Sequence, residues 1–258
     1  MAINMTIREF ACEMDRLYPR SLAAEWDMDG LQCSANPAKE LRRVLVALDA
    51  TEDAIDKAVD GGYDLLLTHH PMIFGKAGDI VPERLYGNRI IKLITAGVSA
   101  ASFHTRFDAG VGGVNDSLAS ALGFSETETF GDSEMPDGGR IGVLTSSMNA
   151  EEFCAFVKEK LHTPYVKLTG GGEVKRVAML GGAGKDFVMP AKAAGADAIV
   201  TGEVSYNAAL DFAESGIAVI EAGHYYTEFP ACYRLAELVR DIAGAEVEVY
   251  AAEPQKTI

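Results

Sequence analysis

Apolar positions fall into two alternating patterns along most of the chain. Short continuous runs of strand length are followed by segments in which apolar residues recur every three or four positions. Ile7, Phe10, Met14 and Leu17 sit at helical spacing, with Thr6 and Glu9 placed as a capping box and Pro19 as the stop. Ala24 to Gln32 reads as a loop, with Trp26 as a packing anchor rather than a ligand contact. Val44 to Leu48 has the unbroken apolar character of a buried parallel strand. Thr51-Glu52-Asp53 then opens a helix to about Asp60, Gly61-Gly62 closes it, and Asp64 to Thr68 is the next strand, completing a β-α-β unit.

The alternation continues with a loop over 72–83, a helix over 82–96, a strand over 98–103 and a helix from about Asn115. Residues 125–139 are acidic, glycine-bearing and aperiodic, so they read as a linker. A strand at 141–145, a helix at 149–161 and strands near 165–168 and 176–180 follow it. His162 reads as a solvated histidine at a helix end. The chain closes with a helix over 230–243 and a strand over 245–250.

The second half repeats the first. Shifted by 133 positions, residues 175–203 lie over 42–70 without a gap. Arg43, Val44, Asp53, Ala58, Gly62, Asp64 and Thr68 meet identical residues at 176, 177, 186, 191, 195, 197 and 201. Past an insertion, the strand ending at His104-x-x-x-Asp108 is matched by one leading to His224-x-x-x-Glu228. These patterns predict an α/β protein of two similar, interlinked α/β domains related by internal duplication, with a metal site in the cleft between them. The expected division is 1–128 plus 222–258 for the first domain, carrying most of the ligands, and 129–221 for the second.

Composition narrows the partners. A net charge of −15 over 258 residues repels phosphate backbones, so nucleic-acid binding is not expected. No apolar run reaches the ~20 residues of a membrane span, and the first residues do not read as a secretory signal. The four cysteines are far apart and form no C-x-x-C pair, which fits reduced thiols in a cytoplasm.

The chemistry concentrates at strand ends. Asp64-Leu65-Leu66-Leu67-Thr68 runs straight into His69-His70-Pro71, and carboxyl ends of strands are where open α/β sheets place ligands. On that stretch alone, a metal-ligand pair and a buried, backbone-bonded pair are equally good readings. His104, Asp108, His224 and Glu228 occupy the same kind of position, so four of the five histidines share one recurring setting. Imidazole and carboxylate without thiolate suit Zn²⁺, Mn²⁺, Fe or Ni. Six candidate groups exceed what one tetrahedral ion with an open position can use, and they fit two ions. Among the weaker signals, Gly110 to Gly113 reads as a tight turn, and Gly181 to Gly184 as a weak anion nest. Glu203, at the repeat position of His70, reads either as an acid facing the same cleft or as a plain surface carboxylate.

Thr68-His69-His70-Pro71, His104-Thr105-x-x-Asp108 with Gly112-Gly113-Val114-Asn115-Asp116, Thr201-Gly202-Glu203 and Gly223-His224-Tyr225-x-Thr227-Glu228 resemble the Nif-three-like proteins. Members of that family are often named GTP cyclohydrolase 1 type 2 homologues. The resemblance runs nearly end to end, including Glu25-Trp26-Asp27-x-x-Gly30-Leu31-Gln32. It implies two similar α/β domains and a dinuclear centre of two divalent ions. His69, His70, Asp108, His224 and Glu228 would be the ligands, with Glu228 as the bridge. His104 would be an extra ligand or a proton shuttle, the catalytic candidate. It also implies a homohexamer. Two departures touch the cleft rather than the ligands: Met28 stands where the family has Asn, and Asn207 where a histidine is frequent. The longer members' middle insertion is absent.

Two functions follow. One is a metal-dependent hydrolase of a small-molecule substrate, cyclohydrolase-like, using a metal-bridging hydroxide. The other is a metal-handling or regulatory scaffold without turnover.

Overall fold

The computed structural model describes residues 5–75, 78–253 and 255. The first four residues, part of the 72–83 loop and most of the tail lie outside them. The chain divides into two compact units, Met1–Phe107 with Cys232–Lys256, and Asp108–Ala231. No helix among the described residues is long and apolar enough to cross a membrane.

The first unit begins with α1 (Ile7–Leu17), whose Thr6 and Glu9 form the expected capping box. β1 (Gly30–Cys33), β2 (Arg43–Ala47), α2 (Glu52–Asp60), β3 (Leu65–Thr68), α3 (Leu85–Ala96), β4 (Ser99–Ser102) and α4 (Thr105–Ala109) follow. In the second unit come α5 (Val114–Ala121), β5 (Glu128–Phe130), β6 (Gly139–Asn149), α6 (Ala150–Leu161), β7 (Lys167–Thr169) and β8 (Glu173–Ala183). It ends with α7 (Val188–Ala193), β9 (Ala198–Glu203), α8 (Tyr206–Glu214), β10 (Ala218–Glu221) and α9 (His224–Glu228). α10 (Pro230–Ala243) and β11 (Glu246–Tyr250) return to the first unit.

The first sheet has the order β1-β4-β3-β2-β11, with only β1 antiparallel to its neighbour. The second has the order β5-β6-β8-β9-β10-β7 and a parallel centre of β8, β9 and β10. Central strands covered on both faces need side chains that are apolar in both directions, which explains the unbroken runs read in the sequence. In the second unit, Val177, Met179 and Val200 pack with Phe153 and Val157 of α6. Ala178, Ile199 and Val219 pack on the other face with Val188 and Ala191 of α7.

Three local readings change. The Ala24–Gln32 loop ends in an edge strand, β1, made by pairing with β4 some 70 residues away. The acidic 125–139 stretch supplies another short edge strand, β5, against β6. Gly181 and Gly182 belong to β8, and their N–H groups donate to Asn115 Oδ1 (2.8 Å) and Thr227 Oγ1 (3.1 Å), so no anion nest is available there. The Gly110–Gly113 turn stands as read: Gly112 N–H donates to Asp116, whose carboxylate is held by buried Arg140. His162 is the exposed C-cap of α6, in the left-handed conformation.

The repeated residues perform the same local task in each unit. Asp64 Oδ2 accepts from the N–H groups of Arg42 and Arg43, both at 2.9 Å. Asp197 Oδ2 accepts from Lys175 (2.9 Å) and Arg176 (2.7 Å), the residues 133 positions on. Each aspartate thus clamps the start of one parallel strand to the start of the next. For Asp64, burial pushes the carboxyl pKa up, but Lys39 and the two N–H groups outweigh it and hold it below the ordinary 3.8. A depressed folded-state pKa means that the clamp's stabilisation is complete above about pH 4 and is lost as pH falls through the lowered value. Asp64→Asn is therefore expected to cost about 1 kcal/mol at neutral pH. The gap to wild type in urea denaturation closes below about pH 4; a gap that stays constant down to acid unfolding would remove the carboxylate from this role.

Candidate metal-ligand sites

β3 delivers the histidine pair. Leu65, Leu66 and Leu67 are fully buried, so the strand cannot slip without exposing leucine, and His69 is buried with it. Thr68 Oγ1 donates to His70 O (2.7 Å), tightening the turn that separates the two imidazoles. β4 delivers the third histidine: Phe103 N–H donates to Thr68 O (3.1 Å), which places His104 beside the pair. Ring centroids of His69, His70 and His104 lie 4.8–5.6 Å apart. One nitrogen from each can be chosen so that all three lie within 4.8 Å of one another, a group that could hold a metal ion.

Each imidazole is oriented through Nδ1. His69 Nδ1 is 2.9 Å from Phe103 O, an acceptor only, so this nitrogen carries the proton and Nε2 the lone pair. His70 Nδ1 is 2.8 Å from Asp49 Oδ1, and His104 Nδ1 is 3.1 Å from Asp27 Oδ2. Asp27 also accepts from Thr105 N (3.0 Å) and Thr105 Oγ1 (2.6 Å). Burial pushes Asp27 up, but the His104 and Thr105 hydrogen bonds and the His104 charge prevail, holding it at about 2.

Behind His104 lies a buried ion pair. Arg106 and Asp29 have fully buried side chains, with Nε to Oδ2 at 2.9 Å. The same Asp29 oxygen accepts from His104 N (2.8 Å). Arg106 also reaches Asp15 (2.7 Å) and Tyr18 O (2.8 Å), tying α1 to α4.

The second unit carries its own pair. α9 starts at His224, so the i,i+4 spacing brings His224 Nε2 and Glu228 Oε2 to 3.1 Å on one helical face. Two such acceptor atoms at that separation need a proton or a metal ion between them. His224 Nδ1 is 3.1 Å from Glu203 Oε1, which settles Glu203 as a partner of His224. Gly182 makes the space: a Cβ there would land on Glu228 Oε1 and 3.2 Å from His224 Nε2. Asp108, on α4, is half-buried, and its carbonyl accepts from Asn115 Nδ2 (3.2 Å).

A divalent ion suits these donors. Imidazoles whose far nitrogen is held by a carbonyl or carboxylate are the usual form of metal-binding histidine, because the held proton fixes the tautomer and aims the other nitrogen. All four histidines meet that description.

Comparison with known proteins was decisive for the family. The Duf34/NIF3 (NGG1p interacting factor 3) family model matches residues 5–257. The chain belongs to the DUF34/NIF3 family. A Clostridium perfringens protein named GTP cyclohydrolase 1 type 2 homolog is 31% identical over 257 residues, covering 98% of both chains. A Lactococcus lactis protein of the same name is 31% identical over 229 residues, covering 86% of each. Among solved structures, Staphylococcus aureus hypothetical protein SA1388 aligns with a TM-score of 0.89 at 25% identity, covering 98% of this chain and 99% of that one. Reduced HcgD from Methanocaldococcus jannaschii aligns at 0.83 and 26% identity, covering 98% and 100%.

In this NIF3-family chain, sequence reading found the imidazoles but not all of what holds them. Asp49 follows the apolar run over 44–48, and Asp27 and Asp29 lie in the 24–32 loop; none of them has a sequence pattern that names its histidine partner. Trp26 is the plain correction: it is 54% exposed, and its ring lies 5.9 Å from that of His104. A single tryptophan between charged residues has no periodicity to say which way it faces.

Proposed function

We propose that this protein is a divalent-metal-dependent hydrolase acting on a small molecule. The residues that would hold its two ions are His69, His70, Asp108, His224 and Glu228, with Glu228 as the bridging carboxylate. His104 serves as an extra ligand or as the residue that holds a proton at Nε2. The observation that carries this reading is the orientation of all four imidazoles through Nδ1, leaving Nε2 of His69 as a lone-pair donor. Divalent ions supply Lewis acidity and activation of water near neutral pH. The chain's own groups supply the rest: Asp49 and Glu203 orient His70 and His224, and Asp27 fixes the side of His104 on which a proton can move. The name borne by the clostridial and lactococcal relatives points to cyclohydrolase-type chemistry, and nothing in this site selects guanine. Internal duplication, a cytoplasmic location and a homohexamer belong to the same reading. The matching Asp64 and Asp197 clamps support the duplication.

Elemental analysis after metal reloading, run beside a hydrolase screen on wild type and His69→Ala, tests it. About two ions per chain in wild type are expected, fewer in the variant, and turnover only in the loaded wild type. Protein that stays metal-free sinks the reading; full metal with a blank screen replaces the hydrolase with the scaffold. Asp49→Asn keeps the shape beside His70 and removes its charge, so metal affinity by chelator competition should fall about 10- to 100-fold. An unchanged affinity would deny Asp49 an orienting role.

A further inference from the structure

Beside the three histidines, polar residues hold apolar side chains out in water. Trp26, Met28 and Phe74 are 54%, 55% and 69% exposed, although each would gain from burial. Their two loops are pinned. Gln32 Nε2 donates to Met28 O (3.3 Å) and Ile73 O (3.1 Å), and its Oε1 accepts from Met72 N (2.8 Å). Ala24 N donates to Thr105 Oγ1 (3.0 Å), and the Asp27 carboxylate ties the residue after Trp26 to His104 and Thr105. The Trp26 and Phe74 rings meet at 5.7 Å with a 38° tilt, and each stands edge-on to His104, at 5.9 and 5.8 Å. With Met28 and Pro71 they line a shallow surface depression. Loops held this firmly form a pre-organised surface, and such surfaces bind with little ordering cost.

We propose that Trp26 and Phe74 are a recognition wall for a planar conjugated ring, which stacks there while the rest of the substrate reaches the histidines. This rests on the functional reading above and names the class of substrate for that site. The shape of the occupant follows from the wall. Two aromatic rings and a thioether offer dispersion and quadrupole contacts that favour a flat π-system over a sugar or an aliphatic chain. The depression is too shallow to enclose a ligand, so an occupant would lie flat against the exposed ring faces of Trp26 and Phe74. The wall therefore selects the ring and leaves its substituents free.

Trp26 is the chain's sole tryptophan, so its indole N–H gives one NMR resonance that reports on this wall alone. Guanosine, uridine and nicotinamide, titrated into metal-loaded full-length protein, are expected to move that resonance saturably, and ribose is expected to leave it in place. Phe74→Ala should weaken the binding about tenfold, and Trp26→Phe, followed by equilibrium dialysis, should retain most of it. The inference is overturned if no flat ring moves the resonance, if ribose moves it equally, or if dilution of the protein alone moves it, which would make a second copy the occupant. Elemental analysis of the same samples keeps the two readings apart. Bound metal without ring binding removes this inference only, whereas ring binding by protein that cannot be loaded supports the wall and removes the metal centre.

Discussion

Replacing Arg106 with methionine should destabilise the protein by about 3–5 kcal/mol, a large part of a typical domain's total. The guanidinium and the Asp29 carboxylate are both fully buried, so removing one leaves a charge without its main partner in a medium that cannot solvate it. Asp29 would keep Arg20 at 3.3 Å and the His104 N–H, so the lower half of that range is expected. The loss has a second consequence. Arg106 also bonds Tyr18 O and Asp15, and Asp29 positions the backbone of His104, so the variant should loosen the one imidazole of the metal-type group that meets the aromatic wall edge-on. Urea denaturation measures the first effect, and line broadening of the Trp26 indole resonance the second. A loss below about 1 kcal/mol, the size of an exposed ion pair, would mean that the buried pair is not holding this region.

Gly182→Ala should disable the second unit's pair more completely than removing any single holder. The residue has φ +70°, where a side chain costs roughly 1–2 kcal/mol. The larger effect is local: the new methyl would occupy the position of Glu228 Oε1, forcing that carboxylate away from His224. Metal affinity is expected to fall at least about 100-fold, the upper end of what displaced supporting groups cost. Gly195→Ala separates strain from displacement. Its φ is +82°, but the nearest atom to its Cβ would be 3.9 Å away, so it should lose stability and keep its metal. Equal metal affinity in the two variants would show that Gly182 does not make room for the ligand.

How much of this was legible depends on the distance over which each feature is decided. The strand before His69-His70, the α1 cap and the i,i+4 pairing of His224 with Glu228 are local, set by residues within a turn or a strand of each other. The Asp64 clamp reaches only 22 residues, and the repeat marked Asp64 and Asp197 as equivalent without showing what they bond. The features that escaped are those made across long separations. Asp27 meets His104 and Arg106 meets Asp29 across 77 positions, and no pattern in the loop sequence points to a partner so distant. Edge strands β1 and β5 escaped for a related reason. Their residues have no alternation of their own, and they become strands because a neighbour offers a free edge. Gly182 carried a visible signal that was read for the wrong partner, since glycines after a strand serve a close-packed carboxylate as readily as an anion.

The order of strands has a bearing on how the chain is made. Every strand of the second sheet lies within 128–221, so that unit can close as soon as its own stretch has left the ribosome. The first sheet must wait, because β2 pairs with β11, about 200 residues later. Loop closure over that length is slow and comes after local contacts have formed. During synthesis, β2 therefore leaves one edge unpaired until β11 emerges, and the charges at its start, Glu40, Arg42 and Arg43, are of the kind that discourages edge-to-edge pairing between chains.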